Sequence, residues 1–316
     1  MITRVSSRGH LVDDVSLLLV AIIWGSSYVV MQVVGEHTPA AAFLMLRFVC
    51  ALPAIALLAL KTLRELTWNE VLTGTFFGTL LYGILIQETV GVRYTSAANA
   101  GFLITVSVVL IPALERVISG RKQLLIVYAA TASALIGCGL LLLSDGFRPH
   151  SGDFIILGAA MVRATQITLF GRQTAGRRQS LVNLTLIEFV VVALLAGLTA
   201  VVSGEPLVST ITSTRPSAWL LIAYLGVMGT SFAFFVQLRS ARASSSTRVG
   251  LILSTEPVFS ALFAVAVAKD TLTPLQVIGG TLIVVSAAVG RMYEGRERPA
   301  TESPQPSREA HESAHA

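Results

Sequence analysis

Apolar residues dominate this chain in long runs, broken at intervals by short polar stretches. The runs fall at about 15–34, 39–60, 71–92, 97–118, 124–143, 153–170, 181–202, 217–238, 248–268 and 273–291. A helix needs about 20 apolar residues to cross a bilayer core about 30 Å thick. Lipid offers backbone groups no hydrogen-bond partner, so each run is predicted to be an α-helix. The polar joints are short, which predicts antiparallel packing of neighbours in sequence. The pattern predicts an all-α integral membrane protein with ten transmembrane helices. Residues 1–14 are then an N-terminal segment. The polar, proline-containing stretch RMYEGRERPATESPQPSREAHESAHA from Arg291 onward supplies a disordered tail at 292–316.

Composition agrees with the pattern. Hydrophobic residues make up 53% of the 316 and charged residues only 13%, against about 25% charged in a soluble domain. The net charge of +5 raises the question of nucleic acid, but the placement of the basic residues answers it. With the N-terminus inside, Arg93, Arg148, Arg215 and Lys269 fall on the outer side and Arg47 and Arg163 lie within spans. The remaining 17 of the 23 Lys and Arg lie on the inner side. This asymmetry predicts a multi-pass protein of the cytoplasmic membrane with both termini cytoplasmic. The basic residues thus serve topology, and nucleic acid is not an expected partner. The opening MITRVSSRGHLVDDVSLLLVAIIWGSSYVV superficially resembles a signal peptide. Asp13 and Asp14 interrupt the order such a peptide needs, and the run reads as a retained first span. Cys50 and Cys138 both lie in apolar runs without a CxxC pairing, so they read as structural thiols, and no metal site or cofactor is expected.

Sliding the chain against itself by 149 residues places YTSAANAGFLITVSVVLIP (94–112) over ASSSTRVGLILSTEPVFSA (243–261). Ser96 meets Ser245, Gly101 meets Gly250, Thr105 meets Ser254 and Val109 meets Val258; one residue's shift earlier, Gln87 meets Gln237. Five spans per half is an odd number, so the second copy is inserted upside down. The units are 15–143 and 153–291. Inverted repeats place a substrate site between the halves near mid-membrane and let them exchange conformations.

The segments WGSSYVVMQVV (24–34), LMLRF (44–48), YTSAANAGF (94–102), LSTEPVFSALFA (253–264) and LTPLQVIGGTLIVV (272–285) resemble the EamA-type branch of the drug/metabolite transporter superfamily. The resemblance runs over roughly 15–291 and implies two inverted five-helix repeats that exchange small organic metabolites across the cytoplasmic membrane, most often outward. It names no substrate. The chain departs from the usual Gly-Glu pair after the fourth and ninth spans, where it reads SGRKQ (119–123) and AKDTLTP (268–274), keeping an acid only at Asp270. Arg163 stands where an aromatic or small residue is expected.

Ionisable residues inside a bilayer are costly, at about 2.5–3.5 kcal/mol each on insertion scales, and need partners or a wet cavity. Arg47, Glu88, Arg163, Glu188 and Glu256 are such residues. Counting at 1.5 Å per residue puts Arg163, Glu188 and Glu256 at one level, roughly 10–12 Å from the cytoplasmic face. Arg47 lies at the mirrored depth from the outer face and Glu88 nearer that face. Two readings stand. Arg163 holds an anionic group while Glu188 or Glu256 handles an amine or a proton, or the three form a structural salt bridge. Arg47 either joins the site or snorkels outward. Gln87 and Gln237 either line gates in matched positions or bond neighbouring helices. Asn99 either touches substrate or bonds between helices. Trp24, Ser27, Tyr28 and Met31 form a stripe on the first span, suited to packing or to a ligand. Pro257 predicts a kink beside Glu256. Gly74 and Gly78 are spaced for close helix contact. Ser96 is placed to cap the fourth span.

His311-Glu312-Ser313-Ala314-His315 matches H-E-x-x-H, but it ends one residue short of the last, beyond Pro304 and Pro306, with no further ligand to follow, so it is read as coincidence. The leading expectation is a secondary transporter for an amino-acid-like or drug-like metabolite, acting by alternating access as a monomer or homodimer, and not an enzyme. An integral membrane enzyme for lipid-linked substrates is the alternative, and the short loops supply almost none of the groups it needs. A channel is disfavoured, because no filter motif repeats.

Overall fold

A computed structural model of the chain describes residues 7–119, 124–142, 149–174, 179–243 and 252–294. These residues fold as helices joined by short turns, with no strand among them. In order they are α1 (Ser7–Gly35), α2 (Ala40–Ala59), α3 (Trp68–Gly91), α4 (Ala97–Ser119), α5 (Leu125–Leu142), α6 (Ser151–Thr174), α7 (Leu181–Val202), the short α8 (Leu207–Ser213), α9 (Pro216–Gly226), α10 (Ala233–Ala243), α11 (Glu256–Phe263) and α12 (Pro274–Glu294). Six stretches are long and apolar enough to cross a membrane: Asp14–Gly35, Ala40–Ala59, Trp68–Gly91, Ser151–Phe170, Leu181–Val202 and Pro216–Gln237. Four shorter apolar helices accompany them, at Ala97–Ile111, Leu125–Leu141, Glu256–Ala268 and Pro274–Val289. The SGRKQ stretch beyond Ser119, most of the 243–251 segment and the whole H-E-x-x-H tail lie outside the described residues.

Helix association in lipid depends on close packing, because lipid tails are as apolar as the side chains they would replace. Small residues therefore set the crossings. A Cβ on Gly137 of α5 would lie 2.5 Å from the Gly279 carbonyl oxygen of α12, and one on Gly279 would lie 2.6 Å from the Gly137 oxygen. These two backbones touch, and any side chain there would part them. Gly74 and Gly78 of α3 face Ile187 and Val191 of α7, each with a virtual Cβ 2.8 Å away, so their spacing does mark a helix contact. Gly152 of α6 sits against the Gly91 carbonyl at the end of α3, and Gly101 of α4 against Ser260 of α11.

Polar clamps fasten the ends of α2, α3 and α7. At one face the Glu70 carboxylate accepts from the Thr67 amide at 3.0 Å and the Ser180 amide at 2.6 Å, joining the starts of α3 and α7. Thr62 and Asn183 bond reciprocally beside it. At the opposite face Glu205 accepts from the amides of Ala41 and Ala42, two of the orphan donors at the start of α2. Arg93 donates to the Thr38 carbonyl at 2.6 Å; burial holds its guanidinium below the ordinary arginine range while nearby Glu205 opposes that shift.

The eighth span expected at 217–238 is the helical stretch Pro216–Gln237, and the ninth is represented among the described residues by the shorter Glu256–Ala268. Between α9 and α10 the chain widens into a π-turn at Val227–Phe232, and a second π-turn follows α11 at Ala264–Ala268. Pro257 does not kink a running helix. It occupies the first turn of α11, which begins at Glu256, where the missing N–H of proline costs no hydrogen bond. Asp270 lies just beyond the second π-turn, with its Oδ2 buried and without a hydrogen-bond partner among the described residues, and burial raises it above the usual carboxylate range.

Candidate functional site

Four helices from both halves of the sequence bring charged side chains to one place, and α1 adds a tyrosine. Glu88 Oε1 on α3 lies 3.6 Å from Arg163 Nη1 on α6. That is an ion pair without a hydrogen bond, since the same oxygen has no hydrogen-bond partner among the described residues. Tyr28 on α1 donates its hydroxyl to Glu256 Oε1 on α11 at 3.0 Å. Arg163 is coupled electrostatically to Glu88, Glu256 and Tyr28 alike, which makes it the hub. Arg47 on α2 is coupled to Glu88 and Tyr28 and donates from Nε to Thr230 Oγ1 at 3.0 Å. Two arginines thus balance two glutamates.

The π-turn accounts for part of this construction. A π-turn disturbs the regular backbone ladder and recurs at functional sites. Here Gly229 O accepts from Trp24 Nε1 at 2.8 Å. Thr230 Oγ1 accepts from Arg47 and donates to Leu225 O at 2.9 Å. Ser231 Oγ donates to Ala51 O at 2.7 Å. The widened turn is held from α1 and α2 by three polar contacts.

Several sequence expectations are corrected by these positions. Arg163, Glu188 and Glu256 do not form one triad: Arg163 pairs with Glu88, and Glu188 makes no hydrogen bond or ion pair with any described residue. Glu88, counted nearer the outer face than Arg163, is nonetheless its ion-pair partner. Arg47 does not snorkel; it is 6% exposed. Gln87 donates to Gly83 O of its own helix at 2.7 Å, and its Oε1 packs where a Cβ on Gly158 of α6 would stand. Gln237 is half-buried on α10. Trp24 packs its ring edge against Phe234 as well as bonding Gly229, which favours packing for the α1 stripe, with Tyr28 as its member in the charge cluster. The π-turn and its Thr230 were missed, because hydropathy carries no sign of an extra residue per turn.

Ser96 caps α4, its hydroxyl accepting from the Asn99 amide at 3.1 Å. Asn99 is committed between helices. Its Oδ1 accepts from Gln276 Nε2 on α12 at 3.0 Å and its Nδ2 donates to Asp153 on α6 at 3.5 Å. Asp153 also accepts from Thr95 and from the His150 amide. Asn99→Ala is therefore expected to cost about 1–3 kcal/mol of stability by stranding buried polar partners. The KM of transport is expected to stay unchanged. A lowered melting temperature beside an altered KM would instead put Asn99 in contact with substrate.

Known proteins bear on this geometry. An uncharacterized transporter from Archaeoglobus fulgidus is 27% identical over 282 residues, covering 89% of this chain and 86% of its own length. A solved crystal structure shares the fold with a TM-score of 0.60 at 19% identity, covering 89% of this chain and 98% of that one. The family model for EamA-like transporters matches residues 13–143 and again 150–290. These matches point to transport and away from enzymatic activity. This multi-pass membrane protein belongs to the EamA-like transporter family.

Proposed function

We propose that this transporter carries a small zwitterionic metabolite, amino-acid-like in its charges, across the cytoplasmic membrane by alternating access, in the outward direction. The observation that carries the reading is the Arg47–Glu88–Arg163–Glu256–Tyr28 cluster. A cluster of two arginines and two glutamates is neutral as a whole. A zwitterion offers a carboxylate to Arg163 and an ammonium to Glu88 or Glu256 without adding net charge to a medium where unpaired charge is costly. A ligand of single charge upsets that balance. Arg163 is the open member, its side chain 26% exposed while Glu88 is 7%, so it is the group first met by an entering carboxylate. Arginine suits that role through its planar fork of donors.

Ten spans in two inverted repeats, with both termini cytoplasmic, complete the proposal. The double match of the family model and the inner-side excess of Lys and Arg support it. The two π-turns fit it too, since such turns recur at functional sites. Counterflow decides the matter. Purified protein in vesicles loaded with a mixture of the standard amino acids is expected to accumulate labelled amino acid transiently from outside. Accumulation without any dependence on the internal load would indicate a channel, and none with amino acids but some with anionic or cationic metabolites would remove the zwitterion.

A further inference from the structure

Glu188 is left unused by that site. It is the single titratable residue of α7, a helix otherwise built of apolar residues, Asn183 and threonines. It is 7% exposed and makes no hydrogen bond or ion pair with any described residue. Its position is interior. Val190, Leu194 and Leu198 form the exposed side of α7, and Glu188 lies on the opposite side of the helix, its backbone pressed on Gly78 of α3. It sits seven residues in from Leu181, about 10 Å from the inner end of the helix. Arg163 lies eleven residues from the inner end of α6, about 16 Å by the same count. Glu188 therefore stands between the charge cluster and the inner face.

Among the described side chains of the helices packed around it, the charged and titratable groups are engaged elsewhere. On α3, Glu70 holds Thr67 and Ser180, Tyr82 bonds Thr199 and Glu88 faces Arg163. On α2, Arg47 bonds Thr230, and Cys50 lies against Gly226 of α9. From α10 the contact is aromatic, Phe234 meeting Phe189. A carboxyl this deeply buried, with no cation beside it among the described residues, holds its proton, because a charge there has nothing to balance it. An opening toward the inner face would wet it first and allow it to ionise.

We propose that Glu188 is a proton-binding site distinct from the substrate cluster, protonated in the conformation described above and exchanging its proton with the inner solution when the pathway opens inward. The proton is taken from water by a carboxylate oxygen and returned to water from the same atom, so nothing else is consumed. This rests on the alternating-access reading for its role in transport, while the protonation itself does not.

Two measurements separate these. In the first, wild-type protein and Glu188→Gln in lipid vesicles are titrated by infrared difference spectroscopy, following the stretch of protonated carboxyls. The wild type is expected to show a buried protonated carboxyl at neutral pH that is lost on raising the pH and is missing in Glu188→Gln. A spectrum identical in both proteins overturns the proposal without any substrate. In the second, vesicles containing a pH-sensitive dye receive the standard amino-acid mixture. Wild type is expected to couple uptake to proton movement. Glu188→Gln retains counterflow and loses proton movement, and Glu188→Asp recovers it. Proton movement persisting in Glu188→Gln overturns the proposal. Absence of counterflow in the wild type counts against the substrate reading alone, and the infrared titration then decides Glu188 by itself. Glu188→Asp serves there as the second variant should Glu188→Gln fail to fold.

Discussion

Arg163→Ala is expected to reduce counterflow to background while the protein still inserts and purifies as a folded species of lowered stability. The reason lies in the charge count of the cluster. Arg163 is the hub coupled to Glu88, Glu256 and Tyr28. Without it Glu88 keeps only the coupling to Arg47, and Glu256 keeps only the Tyr28 hydroxyl. Removing one partner of a buried ion pair costs about 3–5 kcal/mol, chiefly from the charge left uncompensated. A structural loss and a functional loss are separable with a second change. Arg163→Ala combined with Glu88→Gln removes both charges of the 3.6 Å pair and is expected to recover most of the melting temperature and none of the flux. Arg163→Lys keeps the charge but gives up the planar fork, so it should fold like the wild type and transport poorly. Flux surviving in the double variant would reduce the Glu88–Arg163 pair to a structural salt bridge.

The legibility of this protein in its sequence is uneven, and the unevenness has physical causes. Helix positions follow from hydropathy because lipid forbids alternatives: the apolar run expected at 181–202 is the helix Leu181–Val202, and the run at 39–60 is Ala40–Ala59. Local signals were equally readable. Ser96 caps α4 because that effect acts within one turn, and the spacing of Gly74 and Gly78 marked a helix contact although not that α7 fills it. The identities of five ionisable residues within spans could also be read, since each carries a cost that sequence alone exposes. Their partners could not. Depth counted along straight helices grouped Arg163 with Glu188, yet side-chain reach and the rotation of each helix joined it to Glu88. The two π-turns were invisible for a related reason. A π-turn adds a residue without changing composition, so the stretch VMGTSF reads as ordinary helix until Arg47, Trp24 and Ala51 are seen bonded to it.

The stretch YTSAANAGF carries the second large effect, at its glycine. A Cβ on Gly101 would lie 2.2 Å from Ser260 Oγ and 2.4 Å from Ser260 Cβ, with the Tyr28 ring 3.5 Å away. Ser260 has nowhere to retreat. It is fully buried on α11 and donates its hydroxyl to Ala97 O on α4 at 2.8 Å. Gly101→Ala must therefore push α4 and α11 apart, and overpacking of this kind costs about 1–3 kcal/mol. The functional loss is expected to be larger than the stability loss, because α11 begins at Glu256 and Ser260 lies one turn further on. Displacing Ser260 moves Glu256 relative to Tyr28 and Arg163, and a hydrogen bond of 3.0 Å does not survive a shift of that size. Counterflow is thus expected to collapse in Gly101→Ala. Ser260→Gly removes the obstructing Cβ and hydroxyl, so Gly101→Ala with Ser260→Gly should transport better than Gly101→Ala alone. Such coupling between contacting positions is what a double-mutant cycle detects. Strictly additive losses in that cycle would mean that the α4–α11 contact does not set the geometry of Glu256.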